Sequence, residues 1–373
     1  MMLPELSYQP QSTECFDSEF EALLQTLRQQ AGNSDAEDHW PAAQLDAMTT
    51  AGVGRWIIAT DYGGFDLSPG DMLYGYLRLA AACITTTFVL TQRNGACQRI
   101  ANSESETSRS GLLPALGRGD IFATVGISHL TTSRQHLAKP AVRVRRDGVD
   151  FVLDGAVPWV TGARHANVIV TGGTLDDGRQ VLLAVPADLP GLTVAEAPRL
   201  LALNGSVTAA INLDNVRIPP DALLAGPIEK VMTRGSGGGA GSLTTSALAL
   251  GAAGGTISRL AEEANRRTEL IEHCAFLADE YGRLAADLFA AGTAVEPSTQ
   301  PNHSSESIRQ RTNSPALRSA QAYLAASKGA GFVVGHPAER LVRESMFFLV
   351  WSCPQPVLIT TLRELTCPFV AEG

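Results

Sequence analysis

The hydrophobic pattern of this chain changes its period twice, and that change constrains the fold more than any other feature of the sequence. Residues 17–118 place apolar side chains at three- and four-residue intervals, which is the spacing of amphipathic helices. Residues 119–228 form short runs rich in valine, isoleucine and leucine that are separated by glycine, aspartate or proline, as strands are by turns. Residues 229–373 return to the helical spacing. This order indicates an α+β protein and not a doubly wound parallel sheet.

Individual segments make these predictions specific. Two apolar stripes show the helical spacing clearly: Phe20, Leu23, Leu24 and Leu27, and Leu270, Cys274, Leu277, Tyr281, Leu284 and Leu288. Ser68-Pro69 is suited to opening a helix. Residues 295–315, rich in proline, serine and asparagine, predict an exposed loop before a last helical region near Ala316. Antiparallel strands of a small sandwich or barrel are expected at residues 149–155, 167–173, 180–186 and 211–219.

Size, charge and cysteine usage narrow the class of protein. The 373 residues fit three domains, which we expect at residues 1–118, 119–228 and 229–373. A net charge of −9 argues against a nucleic-acid binder or a polybasic membrane binder. The six cysteines include no CxxC pair and no histidine at metal-ligand spacing, so we expect no metal site and a cytoplasmic protein with reduced thiols. No signal peptide or membrane span is expected.

Four stretches of the chain resemble the acyl-CoA dehydrogenase superfamily of flavoproteins. Residues 148–173, with the run Pro-Trp-Val-Thr-Gly, are similar to the core of the family's middle domain, and residues 203–227 are similar to the exit from its β-barrel. Residues 329–348 resemble the family's C-terminal Gly-x-Gly-Phe signature, and residues 40–64 resemble its N-terminal helix and loop. The resemblance covers most of the chain. It implies an N-terminal α-helical domain, a middle β-barrel or sandwich domain and a C-terminal four-helix bundle.

The same resemblance implies a bound flavin, FAD in the first instance, and suggests its contacts. Trp159 and Val160 would form an apolar wall against the isoalloxazine ring, with Thr161 near the ring atom N5. Ser128 stands where the family has the threonine of its Thr-Glu-Pro flavin loop. Hydroxyl donors suit a reduced flavin, because its pyrimidine end gains negative charge. Residue type alone would favour a core tryptophan and a locally hydrogen-bonded threonine, and the similarity of the surrounding residues is what points to flavin contact.

The sequence departs from the family where the catalytic base is expected. Counting without gaps from the Arg-Glu pair of the C-terminal signature puts Ser352 in the position of the glutamate that removes the substrate α-proton. A serine hydroxyl is too weakly basic for this step without a partner base. The alternative position used by some branches falls near Gly241, and Glu364 is a weak candidate for a relocated base. His129 of the altered flavin loop is a further weak candidate, although a loop imidazole bonded to the backbone is the simpler interpretation. The catalytic residue therefore stays unassigned.

The residues expected to bind the adenine end of FAD also differ from those of the family. Its Arg-x-x-Phe-Gly run becomes residues 266–269, Arg-Arg-Thr-Glu, and the expected glutamine before the Gly-x-Gly-Phe signature is Ala325. FMN, or a reduced flavin supplied by a partner reductase, is therefore an alternative to FAD.

Three functions follow from the resemblance and its gaps. The first is a flavin-dependent oxidoreductase acting on the CH–CH bond of an acyl thioester or similar substrate with a non-standard base. The second is a flavin-dependent monooxygenase of the related branch, which needs no α-proton abstraction. The third is a catalytically inactive binding or scaffold homologue. The expected partners are a small acyl substrate, CoA- or carrier-linked, an electron acceptor or flavin reductase, and further copies of the chain in a homodimer or homotetramer.

Overall fold

A computed structural model describes five segments of the chain: residues 3–35, 39–131, 139–233, 242–294 and 300–366. Within them, helices precede and follow a region of strands, in the order that the hydrophobic pattern predicts. No helix of these segments is long and apolar enough to cross a membrane.

The described residues of the N-terminal region contain five α-helices, with bounds α1 Ser18–Gln30, α2 Ala42–Thr50, α3 Pro69–Ala82, α4 Ile84–Ala101 and α5 Glu106–Arg118. Side chains cap several of their first turns, which would otherwise leave N–H groups without partners. The Asp17 carboxylate accepts from the N–H groups of Glu19 and Phe20 at the start of α1. Ser68 accepts from the Asp71 N–H and Pro69 follows it, so α3 begins where the sequence predicts.

The middle region is an eight-stranded sheet interrupted by one short helix. In chain order its elements are β1 Ala123–Gly126, α6 Ser128–Thr131, β2 Val142–Asp147, β3 Asp150–Val160, β4 Val168–Leu175, β5 Gln180–Pro186, β6 Leu192–Val194, β7 Ala209–Ile218 and β8 Leu223–Ile228. The strand order is β6-β7-β3-β2-β4-β5-β8, and β1 pairs with β4 off this path. One apolar core lies within the sheet, and a second lies between the sheet and helices α4 and α5.

The pairing of the strands corrects one expectation. Most neighbours are antiparallel, but β1 and β2 both pair parallel to β4. Long connections, through α6 after β1 and through β3 after β2, return the chain to the sheet in the same direction, and such connections are what parallel pairs require. Hydrophobic alternation along one strand does not reveal the direction of its neighbour, so the sequence did not distinguish the two cases.

The C-terminal region contains five helices, with bounds α7 Leu243–Ala264, α8 Ile271–Thr293, α9 Ser305–Ser327, α10 Pro337–Ser345 and α11 Gln355–Thr366. The three long helices α7, α8 and α9 pack against one another, and α10 and α11 pack on α9. Helix α3 of the N-terminal region packs against α7. A single apolar core therefore joins the two helical regions, from Leu24 and Leu77 on one side to Leu250 and Leu284 on the other.

The predicted loop at residues 295–315 is wrong over its second half. Helix α9 already begins at Ser305, with the Ser304 hydroxyl accepting from the Ser307 N–H, and Pro315 lies inside the helix. The prediction failed because the buried face of the first turns of α9 is polar, with Arg309 and Asn313 among its buried residues. A hydrophobic pattern cannot reveal such a face.

Candidate functional site

A cavity of about 510 Å³ lies where α4, the sheet and the C-terminal helical region meet. Its volume falls within the range of small-molecule and cofactor sites. We call the side formed by β3 and the segment before β7 the sheet wall, and the side formed by α7 and residues 347–352 the bundle wall. Helix α4 runs between the two walls.

Three hydroxyl groups form a chain along the sheet wall. The Thr161 and Thr208 hydroxyl oxygens are 3.0 Å apart, and the Thr208 oxygen is 2.8 Å from that of Ser206. All three residues line the cavity and are buried. Because each hydroxyl can both donate and accept, the chain can turn a donor toward a ligand without leaving one of its members unsatisfied. Thr161 is the predicted member; Ser206 and Thr208 were missed.

The predicted flavin contacts at the end of β3 do not all face the cavity. Trp159 lies on the cavity side with 49% of its surface exposed, and Thr161 lines the same cavity. Val160, placed between them in sequence, is fully buried in the core within the sheet and does not line the cavity. Successive side chains of a strand point to opposite faces, which is why the three cannot share one wall. A contact of Val160 with a ring in this cavity would therefore come from its backbone and not from its side chain.

Ser128 presents a buried oxygen to the cavity at the end of β1. It opens the short helix α6 and lines the cavity, and its hydroxyl oxygen is buried without a hydrogen-bond partner among the described residues. An unsatisfied buried hydroxyl is costly, so this group is one that a ligand would satisfy. The neighbouring His129 Nε2–H donates to the Gly172 carbonyl at 2.9 Å, in agreement with a loop imidazole bonded to the backbone. Residues 132–135 of the predicted flavin loop lie outside the described segments.

The bundle wall carries Ser352 into the cavity. Ser352 has φ +48°, a left-handed conformation that non-glycine residues rarely adopt, and its hydroxyl accepts from the Thr245 hydroxyl at 3.4 Å. Next to it, Trp351 stacks on Phe347 with ring centroids 5.0 Å apart, and both rings meet Phe88 of α4 edge to face. The position that resemblance gives to the catalytic glutamate thus faces the cavity, occupied by a serine. Gly241, the alternative position, lies outside the described segments.

A buried arginine supports this wall from behind. Arg309 of α9 is fully buried, and its Nη2 donates to the carbonyls of Phe348 and Trp351 at 3.2 and 3.1 Å. Its Nη1 donates to the Asn313 side-chain oxygen. Burial lowers the pKa of Arg309 to about 10. Its hydrogen bonds to the two carbonyls fix the backbone turn that places Ser352 at the cavity.

The described residues that line the cavity include no aspartate, glutamate or histidine. Glu364 lies on the exposed side of α11, where it accepts from the Ser314 hydroxyl. Glu344 pairs with Arg340 at 3.0 Å, and Glu339 pairs with Arg343 at 2.5 Å, so both carboxylates take part in ion pairs within α10. Within these segments, no carboxylate has been relocated to the lining of the cavity.

Two curated relatives align with about half of the chain. Human mitochondrial short-chain specific acyl-CoA dehydrogenase is 25% identical over 218 residues, which are 55% of this chain and 53% of the relative. The probable acyl-CoA dehydrogenase YngJ of Bacillus subtilis is 28% identical over 207 residues, 53% of each chain. The chain thus spans about half the length of the curated relatives it matches. No family model matches the sequence.

Solved structures extend the likeness to nearly the whole fold. A glutaryl-CoA dehydrogenase from Mycobacterium smegmatis in complex with FADH2 superimposes with a TM-score of 0.75 at 21% identity, covering 95% of this chain and 96% of the other. Butyryl-CoA dehydrogenase from Megasphaera elsdenii gives 0.79 at 15% identity, over 94% and 98%. The chain resembles the acyl-CoA dehydrogenase superfamily in sequence and in fold. FMN-bound TdsC from Paenibacillus shares this fold, with a TM-score of 0.77 at 14% identity over 94% and 96%.

Within the acyl-CoA dehydrogenase fold, helix α4 is the part of the site that the sequence interpretation overlooked. Phe88, Thr91, Gly95 and Arg99 line the cavity at three- and four-residue spacing and form one face of the helix. The signal was present in the sequence, but the face mixes aromatic, polar, small and charged residues, so it does not stand out as an apolar stripe. It adds the only arginine that lines the cavity within the described segments.

Proposed function

We propose that this chain is a flavin-dependent oxidoreductase that holds a flavin ring against the sheet wall of the cavity. The observation that carries the proposal is the buried Ser128 hydroxyl without a partner, in the same cavity as Trp159 and Thr161. An indole face, a hydroxyl chain and a further unsatisfied hydroxyl fit a planar ring edged with nitrogen and oxygen acceptors. When bound, the flavin would supply the redox chemistry. The chain's own residues would bind the ring, orient it and exclude water.

Two reactions are compatible with that role, and the lining of the cavity favours one of them. Oxidation of a CH–CH bond needs a base that removes an α-proton, and the described lining offers hydroxyls but no carboxylate or imidazole. Oxygen transfer by a monooxygenase needs no such base. The geometry thus supports a flavin-dependent monooxygenase above a dehydrogenase, and FMN or a reduced flavin from a partner reductase stays an alternative to FAD.

Assembly into a homodimer or homotetramer is part of the same proposal. Three consecutive residues after α9 are strongly exposed: Phe332 at 80%, Val333 at 62% and Val334 at 87%. An exposed apolar run of this kind is typical of an interface. A further copy of the chain fits it best, because the run belongs to the segment that resembles the Gly-x-Gly-Phe signature. Substrate, electron acceptor and reductase are proposed only by class.

One set of measurements separates the functions. The purified protein is incubated with FAD, FMN and reduced FMN, and binding is followed by absorbance. Reduced flavin that binds and then consumes O2 in a substrate-dependent way supports the monooxygenase. Anaerobic bleaching of bound oxidised flavin by butyryl-CoA in the wild-type protein, which has Ser352, supports the dehydrogenase instead. A protein that binds none of the three flavins contradicts the proposal, and a scaffold role is then the function that is left.

A further inference from the structure

Arg99 is a buried cation with one hydrogen-bond acceptor among the described residues. It is 9% exposed, and its Nη1 donates to the Gly95 carbonyl of its own helix at 2.7 Å. In the described part of the chain, no carboxylate lies within ion-pair distance of it, and Nε and Nη2 have no hydrogen-bond acceptor. Burial alone lowers its pKa to about 10, which leaves the guanidinium charged at neutral pH. A buried charge without a counter-charge is unfavourable, so an anionic group that enters the cavity would be stabilised at Arg99.

The other buried arginines show how the same chain satisfies such a charge elsewhere. Arg340 pairs with Glu344, and Arg309 donates to three oxygen acceptors. Arg93, one turn and a half before Arg99 on α4, donates to the Leu116 carbonyl and the Asn94 side chain. Arg340 thus has a carboxylate partner, and Arg309 and Arg93 each have at least two oxygen acceptors. Among the described residues, Arg99 has one acceptor, the Gly95 carbonyl.

Arg99 also lies where two cavities meet. It lines the cavity of about 510 Å³ that contains Ser128 and Ser352, and it lines a second cavity of about 320 Å³ bounded by β8 and by Asn102. Glu104 also lines the second cavity. A ligand in either cavity could thus contact Arg99.

The α4 face leads from the bundle wall to this cation. Phe88 packs edge to face on Trp351, the neighbour of Ser352, and Arg99 lies eleven residues further along the helix. At 1.5 Å per residue the two ends are about 16 Å apart. Gly95 keeps the path open between them: a Cβ there would lie 3.3 Å from Arg99 Nη1 and 3.5 Å from Val125 Cγ1. An elongated ligand along α4 would have one end at Ser352 and the other at Arg99.

We propose that Arg99 binds an anionic oxyacid group at the far end of the substrate. The forked donors of a guanidinium match a carboxylate or a phosphate, and two sources share this chemistry: a carboxylate that ends an acyl chain, or a phosphate on a carrier arm. The inference rests on the proposed function, because it takes the cavity as the substrate site.

Two pairs of probes test the inference by calorimetry. Glutaryl-CoA and pentanoyl-CoA differ only in whether the five-carbon acyl chain ends in a carboxylate or a methyl group. Phosphopantetheine and pantetheine differ only in the phosphate. In the wild-type protein, the charged member of one pair should bind at least about tenfold more tightly than its neutral partner, and Arg99→Gln should abolish that preference. The pair that shows the preference identifies the source of the anion.

The ratio of the two affinities separates recognition from damage to the fold. A structural role for Arg99 would weaken both members of a pair alike. The matched control is Arg118→Gln, which removes an exposed charge from the neighbouring helix α5 and should keep the preference. Arg99→Gln should also unfold in urea at the same or a higher midpoint, because it removes an uncompensated buried charge.

The proposal is overturned if neither pair is distinguished by the wild-type protein, or if the preference survives in Arg99→Gln. Flavin titration is measured separately on each variant. A wild-type protein that binds no flavin would contradict the proposed function, whereas a loss of charge preference in Arg99→Gln would still support the anion site.

Discussion

The two walls of the cavity differ in what they offer a ligand. The sheet wall presents Trp159 of β3, which packs its other face in a core, and a chain of hydroxyls that begins at Thr161, directly after β3. The bundle wall presents Ser352, which has a left-handed backbone conformation. Arg309 stabilises this turn by donating hydrogen bonds to the backbone carbonyls of Phe348 and Trp351. The first wall carries groups that suit a flavin, and the described residues of the second wall include no carboxylate. Under the proposed function, binding of the ring and removal of a substrate proton would depend on different walls.

The largest effect is expected from removing the support of the bundle wall. Arg309→Ala leaves the Asn313 side-chain oxygen and the carbonyls of Phe348 and Trp351 without their donor, and it opens a void in α9. The free energy of unfolding should fall by about 2–4 kcal/mol, measured by urea denaturation. Arg283→Ala, which breaks an exposed pair with Asp279 on α8, is the control and should change it by less than about 1 kcal/mol. Equal effects of the two variants would contradict the supporting role.

Restoring a carboxylate to the bundle wall sharpens the contrast between the walls. Ser352→Glu places a base at the position that faces the cavity, and a positioned general base contributes about 10²–10⁴-fold to proton transfer. With bound oxidised flavin, anaerobic bleaching by butyryl-CoA should be at least about 100-fold faster than in the wild type. Ser352→Gln, similar in size but not basic, should show no gain. A wild-type protein that bleaches as fast as Ser352→Glu would show that a base is already present.

Changes in the sheet wall should affect flavin affinity. Thr161→Val combined with Ser128→Ala removes two hydroxyls, each of which can form a hydrogen bond worth about 0.5–1.5 kcal/mol. The Kd for flavin should rise at least about fivefold, followed by fluorescence quenching. Thr193→Val, on the exposed face of β6, serves as the control. An unchanged Kd in the double variant would count against the sheet wall as the flavin site.

The smallest effect concerns the contact between α10 and the segment before β7. Arg343 of α10 donates to the Leu201 carbonyl at 3.0 Å and pairs with Asp35 and Glu339 at 2.5 Å each. The hydrogen bond from Arg343 lowers the pKa of Glu339 below its usual value. A lowered carboxyl pKa stabilises the fold above the pKa of the unfolded chain, near 4.3, and this contribution is lost as pH falls through the folded pKa.

Glu339→Gln should therefore lower the free energy of unfolding by about 0.2–1 kcal/mol at pH 7. At the acid end of the titration it should leave the free energy of unfolding unchanged. Urea denaturation from pH 7 to pH 3 measures the difference from the wild type. A difference that stays constant over this range would show that ionisation of Glu339 does not contribute.

The sequence predicted the parts of the molecule in which apolar periodicity determines packing. Phe20, Leu23 and Leu27 are buried on α1, and strand β5 has the predicted bounds Gln180–Pro186. It failed where buried faces are polar, as in the first turns of α9, and where strand direction depends on distant connections. In the site, resemblance indicated Ser128, Trp159, Thr161 and Ser352, which the structure brings to one cavity.

Alternation along β3 excludes the Val160 side chain from the cavity, which the resemblance alone did not reveal. Arg99 was not predicted because its importance comes from what it lacks. A sequence shows that a residue is charged, but only the fold shows that none of the described carboxylates lies within ion-pair distance of it.

The central claim is that a flavin ring lies on the sheet wall and that no carboxylate faces it from the bundle wall. A crystal structure of the protein soaked with FAD or FMN tests this most directly. The claim predicts ring density against Trp159, with the Thr161 and Ser128 hydroxyls within hydrogen-bond distance of the ring and the Ser352 hydroxyl opposite. Ring density elsewhere in the molecule, or an aspartate or glutamate side chain within reach of the ring's exposed face, would contradict it.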